Sequence, residues 1–387
     1  MAAALSHLLR FACAACIALI VCAALPARAA DLSMKAAIKE AGSWQSNPLM
    51  LSRGAESLYG SITTPSFKLE SKTPTSTLNL ETSLNQNFFN QSAYNSTDAH
   101  VRASVTRQVE RWGAGLALGG DYDTTRTSEV TSFGINEKKV RHTGFSFSPD
   151  VSFMPTTRDK FTISNSTLLS RYDSNRYSDY NVYALTPSYL HAFTPVHSGV
   201  LQFTARRYDT VGGSAGETVD SIGPMAGWQA KFSPTLSAQA LVGTSASKQT
   251  RDNTPTQPWL WDLIFSTNMT YKGAQDSLKV SGSRDQQPYS NGTSSILTTF
   301  AAGYEHAFNE HLSLNLDASY MFKSKSALSA SNLDYATSAR AQLSYLMIKE
   351  LSVETSYRYR QEALTNASKT AQDNTILVGL TYRPELD

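Results

Sequence analysis

Trp259-Leu260-Trp261-Asp262-Leu263-Ile264-Phe265-Ser266-Thr267-Asn268-Met269-Thr270-Tyr271 is the stretch that decides the fold. Its odd positions read Trp, Trp, Leu, Phe, Thr, Met, Tyr, while its even positions include Asp262, Ser266, Asn268 and Thr270. Side chains alternate between faces along a strand, so one face is apolar with aromatics at both ends and the other is mostly polar. Aromatics flanking an apolar band are what the two lipid–water interfaces select in a transmembrane barrel strand. The run also exceeds the usual soluble strand of about five or six residues. Tilted, it is long enough to cross a bilayer.

The same alternation recurs along the chain. Leu78, Leu80, Leu84 and Phe88 alternate with Asn79, Glu81, Asn85 and Asn87; Phe145, Phe147, Val151 and Phe153 with Ser146, Ser148, Asp150 and Ser152. Leu312, Leu314, Leu316, Tyr320 and Phe322 alternate with Ser313, Asn315, Asp317 and Ser319; Leu351, Val353, Tyr357 and Tyr359 with Ser352, Glu354, Arg358 and Arg360. Phe161–Tyr172 is the exception, with neither face cleanly apolar. Connections alternate too, short (Pro155–Asp159, Ser233–Thr235, Asn309–His311) then long and polar (Asp121–Lys139, Arg284–Ser295, Lys323–Tyr335). Short turns on one side and long loops on the other are the periplasmic and extracellular ends of an outer-membrane barrel. The fold class is therefore all-β, an antiparallel transmembrane barrel of about 16 strands from Thr77 onward, or 18 if Leu58–Leu69 adds to it. Tyr189-Leu190-His191-Ala192-Phe193 recurs as Tyr304-Glu305-His306-Ala307-Phe308, which marks one hairpin with its loop as the repeating unit.

Composition agrees. Charged residues are 17%, against about 25% in an average soluble domain. Aromatics are 10%, with 18 Tyr and 16 Phe. The single long apolar run, Phe11–Leu25, follows Arg10 and precedes Pro26-Ala27-Arg28-Ala29, the pattern of a secretory leader with cleavage expected after Ala29. Cys13, Cys16 and Cys22 all lie within it, so the exported chain has no thiol and no disulfide framework, cysteine nucleophile or cysteine zinc site. Removing Arg10 and Arg28 leaves as many basic as acidic residues, which gives no sign of a nucleic-acid partner. The chain divides into residues 1–29 as leader, 30–76 as a periplasmic or luminal segment with a short helix expected over Leu32–Ala41, and 77–387 as barrel. Ile376–Arg383 resembles the closing strand that barrel-assembly machinery recognises, with Pro384-Glu385-Leu386-Asp387 in place of the usual terminal aromatic.

The inner face is where transport would be decided. Strand parity turns Glu81, Asp150, Asp262, Asp317, Glu354, Arg358 and Arg360 inward, with Arg102, Arg206 and Lys279 beside them, as candidate solute contacts. Their bland role is to pair with one another, and their mixed signs point to weak ion selectivity. Tyr122, Tyr177, Tyr180 and Tyr289 fall in the long connections and suit carbohydrate, whose faces stack on aromatic rings. The six histidines after the leader show no tight metal-ligand spacing, and there is no phosphate loop or dinucleotide fingerprint, so no cofactor or metal is expected. A hydrolase needs a base held beside a nucleophile. The sequence shows no such cluster, and a close pair at the outer rim would revive that reading.

Pro65-Ser66-Phe67-Lys68-Leu69, Leu78-Asn79-Leu80, Ser96-Thr97-Asp98, Arg111-Trp112 and above all Asp121-Tyr122-Asp123-Thr124-Thr125-Arg126-Thr127-Ser128-Glu129 followed by Gly134 resemble the putative beta-barrel porin 2 proteins. That group includes outer-membrane barrels associated with exopolysaccharide biosynthesis and export. The resemblance implies an outer-membrane location and a link to polysaccharide passage, and it carries no catalytic residues. The expected function is a pore or export-associated channel, not an enzyme. A closed structural or adhesive barrel stands second and an outer-membrane hydrolase third. The expected partners are outer-membrane lipid, the assembly machinery, and polysaccharide or its export machinery. Asp121–Lys139 is the expected constriction loop.

Overall fold

A computed structural model describes residues 31–128, 139–174, 177–211, 216–251, 257–288, 294–323, 333–364 and 370–385. The leader expected at residues 1–29 lies outside them. The described residues form one antiparallel sheet of 18 strands. The first nine are β1 (Asp31–Gln45), β2 (Leu58–Lys72), β3 (Ser76–Phe89), β4 (Ser96–Val109), β5 (Trp112–Thr124), β6 (Arg141–Phe153), β7 (Asp159–Tyr172), β8 (Asp179–Ala192) and β9 (His197–Val211). They continue as β10 (Glu217–Lys231), β11 (Leu236–Arg251), β12 (Leu260–Lys272), β13 (Asp276–Pro288), β14 (Ser294–Ala307), β15 (Leu312–Lys323), β16 (Leu333–Ile348), β17 (Leu351–Leu364) and β18 (Ala371–Tyr382). Each strand pairs with its sequence neighbours, and β1 closes on β18 from Ile38↔Tyr382 to Gln45↔Thr375. Closure leaves no sheet edge in hydrocarbon, where an unpaired backbone group costs several kcal/mol.

Alternation sorts the side chains as the sequence requires. Trp261, Leu263, Met269 and Tyr271 of β12 are exposed on the outer face, and so are Tyr357 of β17 and Ile376, Val378 and Leu380 of β18. At the short-turn end, outward rings form one girdle, with Trp112 stacked on Phe153 at 4.4 Å and Phe161 on Tyr189 at 4.7 Å. At the long-loop end Trp44, Tyr59, Phe88 and Trp261 form the other. The repeated Tyr-x-His-x-Phe motif belongs to the first girdle. Asp159 accepts from Tyr189 (2.6 Å) and meets His191 (2.8 Å), and Asp276 does the same with Tyr304 (2.6 Å) and His306 (2.8 Å). Phe193 and Phe308 set their rings against those histidines at 5.0 and 4.5 Å.

Two expectations are corrected. Residues 31–76 are not a segment apart from the wall, because β1 and β2 are strands of it; β2 is the further strand allowed for over Leu58–Leu69, and the count is the 18 that strand was expected to give. The helix expected over Leu32–Ala41 is strand β1, whose Leu32, Met34, Ile38 and Trp44 face outward at period two. Its fifteen pairs with β2 outweigh the helix propensity of its alanines. Phe161–Tyr172, of ambiguous parity, turns Phe161 and Ile163 outward. Its outer face is then interrupted by Asn165 and Thr167, which bond each other at 3.3 Å.

Candidate functional site at the barrel mouth

All ten charged residues expected inside lie on the inner face. Six are answered by a partner: Glu81 by Lys68 (2.7 Å), Arg102 by Asp121 (2.7 Å), Arg206 by Asp285 (2.8 Å), Asp262 by Arg284 (3.5 Å), Glu354 by Lys39 (2.5 Å) and Arg360 by Asp373 (2.7 Å). Asp150, Lys279, Asp317 and Arg358 form no ion pair among the described residues. Two are acidic and two basic. In register, Lys279 stands across Gly303 from Asp317, then come Arg340 and Arg358. Arg358 donates to Thr375 at 3.3 Å, and its buried Nε has no partner among the described residues.

The connection between β1 and β2 folds into this space. Between β1 and β2, Asn47 takes the Asp373 carboxylate on its backbone N–H (2.9 Å), and its side chain donates to the carbonyls of Leu51 (2.8 Å) and Gln372 (3.0 Å). That clamp forces Met50 into the left-handed region, φ 52°, at a cost of about 1–2 kcal/mol. Leu49 and Met50 then pack with inward-facing Leu58, Phe89 and Ala371 and with Tyr94, an apolar core inside the mouth of the barrel. Met50 also lines a cleft with Ser319, Ser338, Arg360 and Glu362 on the inner wall of β15–β17. Of the expected constriction loop Asp121–Lys139, the described part is the end of β5 and a one-turn helix, Thr125–Ser128. From it Arg126 sets its guanidinium 4.7 Å over the Phe89 ring. Burial pushes that guanidinium below its usual pKa, opposed by Asp98 and reinforced by Arg360.

A second inward fold comes from β13 and β14. β12 and β13 pair only from Lys272↔Ser277 up to Phe265↔Arg284, whereas β13 and β14 stay paired to Pro288↔Ser294. Above that fork Arg206 of β9 donates to the Gln286 carbonyl (2.7 Å) and to Asp285 (2.8 Å), and Ser247 of β11 donates to the Gln286 side chain (3.2 Å). The end of the hairpin thus passes inside β12 to reach β9 and β11. Ser294 to Thr298 are accordingly covered on both faces, none more than 5% exposed. Arg284 stays at the fork and gives Leu263 the bond its departed strand neighbour would have made (2.8 Å).

Beside this hairpin the inner faces of β6–β9 carry a run of rings. Tyr172 lies 4.9 Å from His142, stacks on Tyr177 at 5.3 Å and contacts Tyr180 at 6.4 Å, which meets Tyr208 at 5.6 Å. Two of the four expected carbohydrate-contacting tyrosines, Tyr177 and Tyr180, are brought together here. Tyr122 is not among them, because it faces outward beneath the Arg141 guanidinium at 4.2 Å. Tyr289 lies outside the described residues. Tyr172 and Tyr208, aromatics at the borders of long connections and suited to carbohydrate on the same ground, join the run as inward-facing residues of β7 and β9.

Eighteen strands closed on themselves, with lipid-facing girdles, a wet charged interior and inward-folded mouth connections, define a transmembrane β-barrel of the outer-membrane channel class. Residues 182–384, more than half of the chain, match the family described as "Putative beta-barrel porin 2", and the protein belongs to that family. It is thus a porin-like barrel of the outer membrane, and porin-like families are channels rather than enzymes. No curated protein matches the sequence. Solved structures similar to it include OccK8 (OprE) of Pseudomonas aeruginosa, 10% identical over 92% of this chain and 99% of that one, TM-score 0.45. The outer-membrane channel DcaP of Acinetobacter baumannii is 11% identical over 93% and 99%, TM-score 0.45. OccK3 (OpdO) of Pseudomonas aeruginosa is 12% identical over 91% and 96%, TM-score 0.44.

Proposed function

We propose that the protein, exported by a leader cleaved after Ala29, is a pore whose narrowed mouth recognises saccharide, as a channel associated with exopolysaccharide export would. The observation that carries this reading is the inner-face run in which buried Tyr172 and Tyr208 back the half-buried Tyr177 and Tyr180 beside the inward hairpin. Ring faces stack on sugar faces, and the charges of both signs on the inner face leave a wet path that does not reject a neutral polymer. Lipid contacts the outer face, the assembly machinery engages β18, and polysaccharide or its export machinery meets the mouth.

Single-channel conductance of the refolded barrel in a planar bilayer, after a heat-shift gel has confirmed folding, tests the reading. Discrete steps that scale with salt and are interrupted by added oligosaccharide are expected. A conducting pore that no oligosaccharide blocks would remove the saccharide, and a folded barrel that never conducts would remove the pore. The second outcome would favour a closed structural or adhesive barrel. The feature that supports this alternative is the two-sided burial of Ser294 to Thr298 together with the apolar core around Met50.

A further inference from the structure

Three adjacent strands place a serine, a histidine and an aspartate in one line at the extracellular end of the inner face. The Ser170 hydroxyl of β7 lies 2.7 Å from Nε2 of His142 on β6, and Nδ1 of the same ring lies 2.8 Å from the Asp123 carboxylate at the end of β5. The register sets this up: Asp123 stands opposite His142, and Ser170, opposite Gly144, is the diagonal neighbour on the other side. A carboxylate on Nδ1 fixes the proton there, which leaves Nε2 as an acceptor for the serine O–H. That is the arrangement of an activated nucleophile, its base and the group that orients the base.

The described residues hold three other histidine–aspartate pairs, His100–Asp121, His191–Asp159 and His306–Asp276, each at 2.8 Å. Among the described residues only His142 also carries a hydroxyl on its second nitrogen. A histidine–aspartate pair is thus an ordinary wall contact here, and the serine is what distinguishes this one. Its place distinguishes it too. The triad faces the lumen, away from lipid, and the Tyr172 ring beside it stacks on Tyr177.

We propose that Ser170, His142 and Asp123 form a hydrolytic triad that removes O-acyl groups from saccharide in the mouth of the barrel. The choice of saccharide rests on the function proposed above. The Ser170 Oγ bonds to the acyl carbon while His142 Nε2 takes its proton, and the sugar hydroxyl leaves with that proton. Water, deprotonated by His142, then cleaves the acyl–serine ester, releasing the carboxylic acid and restoring the Ser170 hydroxyl. The Asp123 carboxylate orients His142 through Nδ1 in each half. Ser170 is 1%, Asp123 5% and His142 9% exposed, so an ester must displace the neighbouring rings to reach the nucleophile. Strand pairing occupies the backbone around Ser170, which leaves the oxyanion to side chains or water and makes the turnover slow.

The test uses the refolded full barrel, a small organophosphonate that phosphonylates activated serines, and 4-nitrophenyl acetate. The expected result is one adduct per barrel, mapped to Ser170 by peptide mass, with acetate release abolished in Ser170→Ala and slowed about 10²- to 10⁴-fold in His142→Ala and Asp123→Asn. A folded, heat-shifting barrel with no adduct on Ser170 would overturn the proposal, whatever the variants do. Ser170→Cys gives an independent reading, since with the leader removed its thiol is the only one. His142 should raise its alkylation rate by iodoacetamide at least tenfold over the Ser170→Cys/His142→Ala pair, and equal rates would also overturn the proposal. Neither probe contains a sugar. Labelling without oligosaccharide blockade would therefore keep the triad and remove the saccharide, and blockade without labelling would do the reverse.

Discussion

Arg358 and Arg360 sit two residues apart on the inner face of β17, and the alternation of that strand makes them look equivalent. Their surroundings separate them. Arg360 is 4% exposed and donates twice to Asp373, which is fully buried and also accepts from Asn47 and Thr375. Removing one partner of such a pair strands the other charge, at about 3–5 kcal/mol. Arg360→Ala is therefore expected to lower the urea midpoint of the folded barrel. The double variant Arg360→Ala/Asp373→Asn should fall short of the summed single losses by about 1–3 kcal/mol; additive losses would show that the pair is not coupled. Arg358 lacks a carboxylate, so Arg358→Ala should leave stability nearly unchanged and move the reversal potential in a salt gradient toward cations. An unmoved potential in a pore that still conducts would remove Arg358 from the ion path. The inward direction of both side chains was legible in the sequence, because period-two alternation with Tyr357 and Tyr359 allows no other. Which of them was already spent on Asp373 was not legible, since that partner lies on the far side of a long loop.

At the scale of elements the same distinction separates wall from mouth. The wall strands repeat one rule, apolar outward and polar inward, and the rule needs only neighbouring residues to be visible. The fork between β12 and β13 breaks that rule: Arg284–Ser295 has the polar composition of any long loop, and nothing local says that Asp285 to Gln287 leave β12 and turn inward. What holds it there is distant in sequence. Arg206 bonds Asp285 and the Gln286 carbonyl from β9, four strands away. Asp285 is part-exposed, so water screens the charge pair. The two bonds are worth about 1–2 kcal/mol after that discount. Arg206→Ala should raise the population of the released hairpin by roughly 5- to 30-fold, seen as more frequent or longer high-conductance openings. Unchanged openings would mean that Ser247 and the burial of Ser294 to Thr298 hold the hairpin without it. The triad residues were hidden in the same way. Asp123, His142 and Ser170 are 19 and 28 residues apart along the chain and meet only because three strands pair in one register.

For the molecule as a whole, the decisive contact is the one that closes it. β1 pairs with β2 over fifteen positions and with β18 over eight, so it is the single strand that stands between an open sheet and a barrel. Its polar face adds to the seam: Lys39 meets Glu354 of β17 at 2.5 Å, and the connection after it clamps Asp373 of β18 through Asn47. The sequence conceals this role, because Leu32–Ala41 is rich in helix-forming residues and is followed by Asn47-Pro48, which reads as the end of a separate segment. The two readings make opposite predictions for a chain lacking Asp31–Gln45. If those residues were a periplasmic or luminal attachment, the remainder would still close into a barrel that migrates anomalously before heating. If they are the closing strand, β2 and β18 are left as edges, each presenting a row of unpaired N–H and C=O groups to hydrocarbon at several kcal/mol apiece. β2 and β18 each lack the partner that β1 supplied, and direct pairing of the two would require the barrel to shrink to 17 strands with both running in the same direction. The expected outcome is loss of the heat-shifted monomer and growth of edge-to-edge aggregates. Adding Asp31–Gln45 back as a separate peptide during refolding should restore part of the heat-shifted species. A truncated chain that closes and conducts on its own would instead show that the wall is complete without β1.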